Sequence, residues 1–400
     1  MTGLIADSIN VLAINSGSSS TKFGLYDVNV STAKELFIDT LTSSSAQAMF
    51  ERLNAHLAAP DSAPNTRLPS VIGHRIVHGG AKLRQHCVID DSILRQLEEA
   101  VPFAPLHMRS ALALIDAAGQ RFPGVPQVAC FDTTFHVDLP DVARVLPIAK
   151  ELRLEGIQRY GFHGLSCESI VYQLRHEAPS GLPVRLIIAH LGNGVSVTAV
   201  KNGKSIDTSM GLTPTGGVIM GTRSGDLDPG VLLYLLREKD FDAVLLEELV
   251  NYRSGLLGIS GISSDMRGLH EAVASSLNSS ELSAAELPTS KVKLANADAH
   301  LAIQMFCYSL RKQIAAMIAV LGGIDMIVFT GGIGENDDHV RAKICDGLAW
   351  IGISLDQLRN RAGRSPINDR ASKCAVLILG SKEEIQIARH AYKLGATGGV

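Results

Sequence analysis

Val11-Leu-Ala-Ile-Asn15-Ser-Gly17-Ser-Ser-Ser-Thr-Lys22-Phe-Gly-Leu25 is echoed about 175 positions later by Leu186-Ile-Ile-Ala-His190-Leu-Gly192-Asn193-Gly194-Val-Ser-Val-Thr-Ala199. Each stretch reads as a short apolar strand, a polar residue, a turn of Gly, Ser or Asn, and a second strand. Short apolar runs bounded by such residues form buried strands. A strand that follows directly on a tight Gly turn pairs back antiparallel. Two such hairpins predict a duplicated core whose halves face each other across a cleft. Two unrelated hairpins would leave the same local pattern.

Working outward, Val71–Val77, Val125–Phe131 and Met326–Thr330 are further apolar runs of strand length. Between the strands lie amphipathic stretches that predict helices: Ser92–Ala100, Arg109–Ala118, Gly230–Arg237, Asp240–Asn251 and Asn296–Leu321. Strands alternating with helices predict an α/β architecture. The Pro- and Ser-rich stretches 57–70 and 272–290 read as surface loops.

The 400 residues are enough for two or three domains. Apolar types make up 46% and charged types 19%, a balance that excludes disorder. A net charge of −3 offers nothing to neutralise a phosphate backbone, and 5% aromatics leave few stacking platforms, so no nucleic-acid partner is expected. Six scattered cysteines, without a C-x-x-C pair, fit a reducing cytoplasm better than a disulfide scaffold or zinc ribbon. Asp7 interrupts the first apolar stretch and no basic segment precedes it, so no signal peptide is expected. Ile314–Ile324 is too short to span a bilayer, and no membrane partner is expected.

Three Gly-rich loops follow apolar strands: Asn15–Ser20, His190–Gly194 and Gly331–Asn336. Backbone N–H groups in such turns can cradle anionic oxygens, which points to a nucleotide. Familiar motifs fail, however. Thr198 stands where a P-loop before Gly203-Lys204-Ser205 needs glycine, and Asp337 ends the G-x-G-x-x-G pattern after Gly332 and Gly334. Glycines at the end of the third strand would let the chain lie flat beneath a purine or ribose. Glu335 is then a candidate for ribose hydroxyls, or equally a helix cap.

Polar residues also sit inside apolar or glycine-rich surroundings. In His74-Arg75-Ile-Val-His78 the two histidines have part of a zinc-site spacing but no accompanying Glu or evident helix. Arg75 suits a planar carboxylate, or a structural ion pair. Ala104-Pro-Leu-His107, Phe131-Asp132-Thr-Thr-Phe-His136 and Tyr160-Gly-Phe-His163-Gly164 each set a polar group beside aromatics or proline. The 23 residues 207–229 hold seven glycines and prolines around Arg223, and long ordered loops tend to be functional. Arg223 and His163 could both donate to a phosphoryl group in flight, the electrostatic work that its transfer needs.

These motifs, with Met220–Pro229, Gly255–Arg267, Phe329–Asn336 and Lys382-Glu-Glu-Ile385, resemble acetate kinase and its short-chain fatty-acid kinase relatives, in the family's order from residue 15 to 385. The resemblance implies two duplicated ribonuclease H-like α/β domains of the actin/Hsp70/sugar-kinase type, with the nucleotide in a central cleft. The boundaries would be 1–132 plus 381–400 for the acid-side domain and 133–380 for the nucleotide-binding domain. The implied reaction is ATP + acetate ⇌ ADP + acetyl phosphate, with Mg²⁺ (or Mn²⁺), in a cytoplasmic homodimer whose domains close over the cleft.

Carried over by position, Asn15 and Glu383 are implied at the metal, and Arg75 at the carboxylate. Asp132 takes the place of the catalytic acid/base, and His163 and Arg223 those of transition-state stabilisers. Val77, Leu106, His107, Phe162 and Pro214 are implied around the acyl group. Lys22, His190, Leu191, Gly192, Asn193, Gly194, Asp265, Met266, Arg267, Gly331, Gly332, Ile333, Gly334 and Glu335 are implied around ATP. Physical chemistry adds one expectation. A carboxylic acid with a pKa of about 4.3 is already ionised at neutral pH, so the acid needs no base and Asp132 instead orients Mg²⁺ or Arg223. Val77 opposite Phe162 leaves little room and favours acetate over propionate. The alternatives are a propionate or butyrate kinase of the same family, or an ATP-gated binding protein on the same fold. Two departures from the family pattern, Met108-Arg109 after His107 and Leu165 and Cys167 after His163, bear on the surroundings of those histidines.

Overall fold

Two sheets with matching topology carry the chain. In the first, β1 (Ile9–Ser16), β2 (Thr21–Val28), β3 (Ala33–Leu41), β4 (Val71–Ile76), β5 (Cys87–Val88) and β6 (Gln127–Phe131) are ordered β3-β2-β1-β4-β6-β5. In the second, β7 (Arg185–Leu191), β8 (Val195–Lys201), β9 (Lys204–Thr208), β10 (Met326–Thr330) and β11 (Ala375–Ile378) are ordered β11-β10-β7-β8-β9. β1 pairs antiparallel with β2 and parallel with β4, which is parallel to β6. β7 repeats this with β8, β10 and β11. The repeated hairpins therefore belong to repeated sheets, and β5 is an addition to the first. This computed structural model describes residues 8–17, 20–42, 45–58, 68–179, 181–278 and 290–396.

Side chains alternate across each strand, and helices cover both faces, which is why the inner strands read as unbroken apolar runs. Leu12 and Ile14 of β1 pack with Phe23, Leu53 and Leu114. Val11 and Ala13 pack on the other face with Ile387, Ala388 and Ala391 of the helix Glu383–Gly395. In the second sheet, Ile187 and Ala189 share a cluster with Phe306 and Leu310 of the helix Ser290–Leu321. Leu186 and Ile188 meet Ile170 and Leu174 of the helix Gly164–His176. That last helix also sends Leu165 into the cluster beneath the first sheet, so it packs against both halves.

Several local expectations need revision. Gly331–Asn336 is a helical turn rather than an open loop, because Glu335 Oε1 reaches back and accepts the Gly331 N–H at 3.0 Å. Residues 57–58 and 272–278 lie in the helices Ala46–Ala58 and Met266–Asn278; residues 59–67 and 279–289 of those two stretches, and Ser18 and Ser19 of the first Gly-rich loop, lie outside the described residues. The segment 209–228 has no regular element, as expected of a Gly/Pro-rich stretch. It is nevertheless tied down. Arg159 Nη1 donates to the carbonyls of Thr208, Ser209 and Met210, and Thr215 Oγ1 donates to Asn251 Oδ1 at 2.6 Å. Among the described residues no helix is long and apolar enough to cross a membrane.

Candidate active site

β1, β4 and β6 run parallel, so their carboxyl ends bring Asn15, Arg75 and Asp132 to one edge. The crevice beyond such an edge is where open α/β sheets bind ligands. From the second sheet, β7 presents His190, and Gly331 follows directly on β10.

Arg75 donates from Nε at 2.9 Å and Nη2 at 2.6 Å to the same oxygen, Oδ2, of Asp132. Its Nη1 donates to Asn15 Oδ1 at 3.2 Å. Burial disfavours the guanidinium charge, but Asp132, then Glu383 and Glu384, more than offset this and raise its pKa. Asp132 thus orients Arg75. The expected partner Arg223 is not the one it contacts, because the strand register sets Arg75 beside it.

Asn15 Nδ2 donates to Glu383 Oε2 and Glu384 Oε1, both at 2.9 Å, and Lys22 Nζ ion-pairs with Glu384 at 3.0 Å. Lys22 therefore belongs to this carboxylate cluster. Asp132 Oδ1 is buried without a hydrogen-bond partner among the described residues. Hard oxygen donors on Asp132, Glu383 and Asn15, one of them unsatisfied, suit a Mg²⁺-type cation.

His163 has φ 57° and caps the helix Gly164–His176 from the left-handed region, a conformation that costs energy outside glycine. It is held there by the next residue. Gly164 N donates to Asp132 O at 2.9 Å, so close that a Cβ on residue 164 would lie 2.1 Å from that oxygen. His163 Nδ1 lies 2.9 Å from Ser196 Oγ, and the ring stacks on His190 at a centroid distance of 4.1 Å and 22°. His190 Nδ1 lies 2.9 Å from Ser166 Oγ. Burial, then the neighbouring His190, Arg75 and Arg223, push the His163 pKa well down, so the ring is neutral.

Arg223 comes from the 209–228 segment. Its Nη1 donates to Pro214 O at 3.2 Å, and no carboxylate lies within ion-pair distance of it among the described residues. Burial, with Arg75 nearby, lowers its pKa. Arg223 and His163 converge at Gly194. A Cβ there would sit 3.1 Å from His163 Nε2 and 3.3 Å from Arg223 Nη1. His107 stands in the first turn of the helix Pro105–Arg121; burial, then Arg223 and Arg75, lower its pKa to about 4.

One cavity of about 250 Å³ gathers Arg75, Val77, His107, Asp132, Phe162, His163, His190, Asn193, Gly194, Pro214, Arg223 and Glu383. It adjoins a wider one of about 680 Å³ that shares His107, Asn193, Pro214 and Arg223 and reaches Phe103 and Tyr252. The other expected nucleotide residues, Leu191, Gly192, Asp265–Arg267 and Gly331–Glu335, do not line the smaller cavity. Leu191 is buried in the core, and Gly192 N closes the turn onto Gly194 O at 3.1 Å. Asp265 and Arg267 pair with each other at 2.7 Å beside buried Met266. Gly334 O is held by the buried Arg341 at 2.9 Å. The side chain of Leu106 lies outside the described residues.

His74 and His78 are engaged within the core: His74 bonds Gln127 at 2.7 Å, and His78 accepts from Gly80 N and stacks on Phe103. Of the two departures, Met108 is buried in the core, and the Cys167 thiol lies against Thr198 while its backbone N–H donates to the His163 carbonyl at 2.9 Å. Glu384, Ser196 and Ser166 escaped the sequence reading. For Ser196 a signal existed, a small polar residue inside the apolar run of β8.

Duplicated α/β halves meeting at a cleft lined by cations, neutral imidazoles and carboxylates define a phosphotransferase of the actin/Hsp70/sugar-kinase fold. The profile of the acetokinase family matches residues 42–389, and the chain belongs to that family. It is 38% identical to the acetate kinase of Methylocella silvestris, covering 96% of this chain and 97% of that one. It is also 38% identical to acetate kinase 2 of Neisseria meningitidis serogroup B, over 94% and 96% of the two chains. Among solved structures it is similar to the acetate kinase of Porphyromonas gingivalis, with TM-score 0.80 and 32% identity over 96% and 99% of the chains. A propionate kinase from Francisella tularensis matches with TM-score 0.82 and 32% identity, over 96% and 100%.

Proposed function

We propose that the protein reversibly transfers the γ-phosphoryl group of ATP to acetate, giving acetyl phosphate and ADP. The observation that carries this reading is the convergence of Arg223 Nη1 and His163 Nε2 on Gly194, in a cavity that also holds Arg75. An acid with a carboxylate-like pKa of about 4.3 arrives ionised, so its own oxygen is the nucleophile and no base is needed. That oxygen bonds to the γ-phosphorus while the bond to the β,γ-bridging oxygen breaks and ADP leaves with the electron pair. Arg75, held by Asp132, keeps a fixed positive charge at the acid end. Arg223 and His163 donate to the equatorial oxygens, where charge develops in the transition state.

Asp132, Glu383 and Asn15 are the residues that would hold Mg²⁺, which when bound neutralises phosphate charge. We assign residues 1–132 with 381–400 to the acid side and 133–380 to the nucleotide side, which His190–Gly194, Asp265–Arg267 and Gly331–Glu335 would serve. The reading puts the enzyme in the cytoplasm; six cysteines without a disulfide agree with a reducing compartment. A homodimer is supported by the helices Pro229–Glu238 and Ala243–Tyr252, in which no residue is buried although Val231, Leu233, Tyr234, Leu236, Val244 and Leu245 are apolar. Sedimentation equilibrium of wild type and Tyr234→Arg tests that surface.

The reaction is tested by trapping the acyl phosphate with hydroxylamine, using ATP and acids of two to four carbons. Hydroxamate from acetate supports the reading. Preferential reaction of propionate would favour the activity named for the Francisella protein, and ATP hydrolysis indifferent to any acid would favour a binding protein.

A further inference from the structure

Buried His163 and half-buried His190 form a pair of nearly parallel imidazoles, and each ring has a serine hydroxyl 2.9 Å from Nδ1: Ser196 for His163 and Ser166 for His190. The serines come from different elements, β8 and the helix Gly164–His176, and both are buried. Burial and the nearby guanidinium charges disfavour a proton charge on either ring, and for His190 burial outweighs the opposing pull of Glu383 and Asp132, so both rings are neutral and each carries one proton. A neutral ring has one N–H and one lone pair, and the partner of Nδ1 decides which nitrogen keeps the proton.

We propose that Ser196 and Ser166 are positioning residues that donate their hydroxyl protons to Nδ1 of His163 and His190, so that both rings carry their proton on Nε2 and face the cavity as neutral donors. The opposite tautomer of His163 would turn a lone pair toward an anionic phosphoryl group. Rings held this way add hydrogen-bond donors to the cleft without a third and fourth positive charge beside Arg75 and Arg223. The arrangement also accounts for the tolerance of cysteine at position 167. Its Sγ points to Thr198 Oγ1 at 3.8 Å, and the support behind His163 comes from β8.

This inference rests on the reading of His163 as a hydrogen-bond donor to the phosphoryl group, and its test separates the two. Protein labelled with ¹⁵N-histidine is examined by two-bond ¹H–¹⁵N correlation without nucleotide or acid, with His163→Gln and His190→Gln assigning the signals. The expected wild-type spectrum shows protonated Nε2 and unprotonated Nδ1 for both rings. Ser196→Ala shifts only the His163 signals toward the Nδ1–H form. It lowers kcat about 10- to 100-fold, a common cost of losing the orienting bond behind a functional imidazole, with little change in KM for the acid. Ser196→Thr, which keeps the hydroxyl, restores both, and Ser166→Ala shifts only His190. A wild-type His163 protonated on Nδ1, or Ser196→Ala with an unaltered tautomer and unaltered kcat, overturns the proposal. Failure to form acyl phosphate would refute the reaction and leave the tautomers standing.

Discussion

Asp132 gives one oxygen, Oδ2, to two donors of Arg75 and keeps the other, Oδ1, buried and unpartnered among the described residues. A carboxylate used this way is a clamp with one free face. Truncating one member of a buried pair strands the other, at a cost of about 3–5 kcal/mol. Asp132→Asn and Arg75→Gln should therefore each destabilise the fold by about that amount, and the double variant should lose far less than their sum. Denaturant titration of the cycle checks this; strict additivity would show that the two side chains do not act as a unit.

Arg223 makes the reverse prediction. It is a largely buried guanidinium with no carboxylate partner among the described residues, and such a charge opposes folding until an anion arrives. Arg223→Met should lower kcat about 10²–10³-fold, the effect of removing a transition-state donor. The melting temperature of the ligand-free protein should stay level or rise. A large fall in stability would mean that Arg223 is structural.

Stability should also fall with acid in a defined window. Burial lowers the pKa values of His74, His78 and His136 to about 4. Unfolding restores values near 6.5, so between about pH 6.5 and 4 the unfolded chain binds more protons and stability declines as pH drops. Each group contributes up to about 1.4 kcal/mol per pH unit inside that window and a constant amount above it. Urea midpoints should be flat above about pH 7 and fall below about 6.5. A midpoint that does not change down to about pH 5 would contradict the burial of these rings as neutral groups.

Acid selectivity should respond to Val77. Val77 and Phe162 are buried and line the cavity with Arg75. A methylene in an apolar pocket is worth about 1–3 kcal/mol, so propionate should react more slowly than acetate rather than not at all. Val77→Ala should raise kcat/KM for propionate relative to acetate about tenfold or more. Equal kcat/KM for both acids in the wild type would remove Val77 as a size filter.

The parts of this protein that sequence exposes are those built from short-range patterns. All five apolar runs became central strands because helices cover both faces, and the hairpin echo foretold the two sheets. The parallel strands β1, β4 and β6 could be recognised singly, but their order, which brings Arg75 beside Asp132, is set by pairings across many residues. Hence Arg75, Asp132, His163 and Arg223 could be named from motifs, while the Arg75–Asp132 contact could not. Glu384 was hidden behind Glu383, since only the turn of the helix decides that both face Asn15. Glycines 331 and 332 read as a loop in the sequence because their low helix propensity outweighs a cap that forms only when Glu335 folds back.

The central claim is that one cavity passes the phosphoryl group straight from nucleotide to acid, with no enzyme group holding it in between. ATP made chiral at the γ-phosphorus tests it most directly. A single in-line displacement inverts that centre in the acetyl phosphate produced. Net retention would require two displacements and a phosphorylated side chain, and would contradict the account.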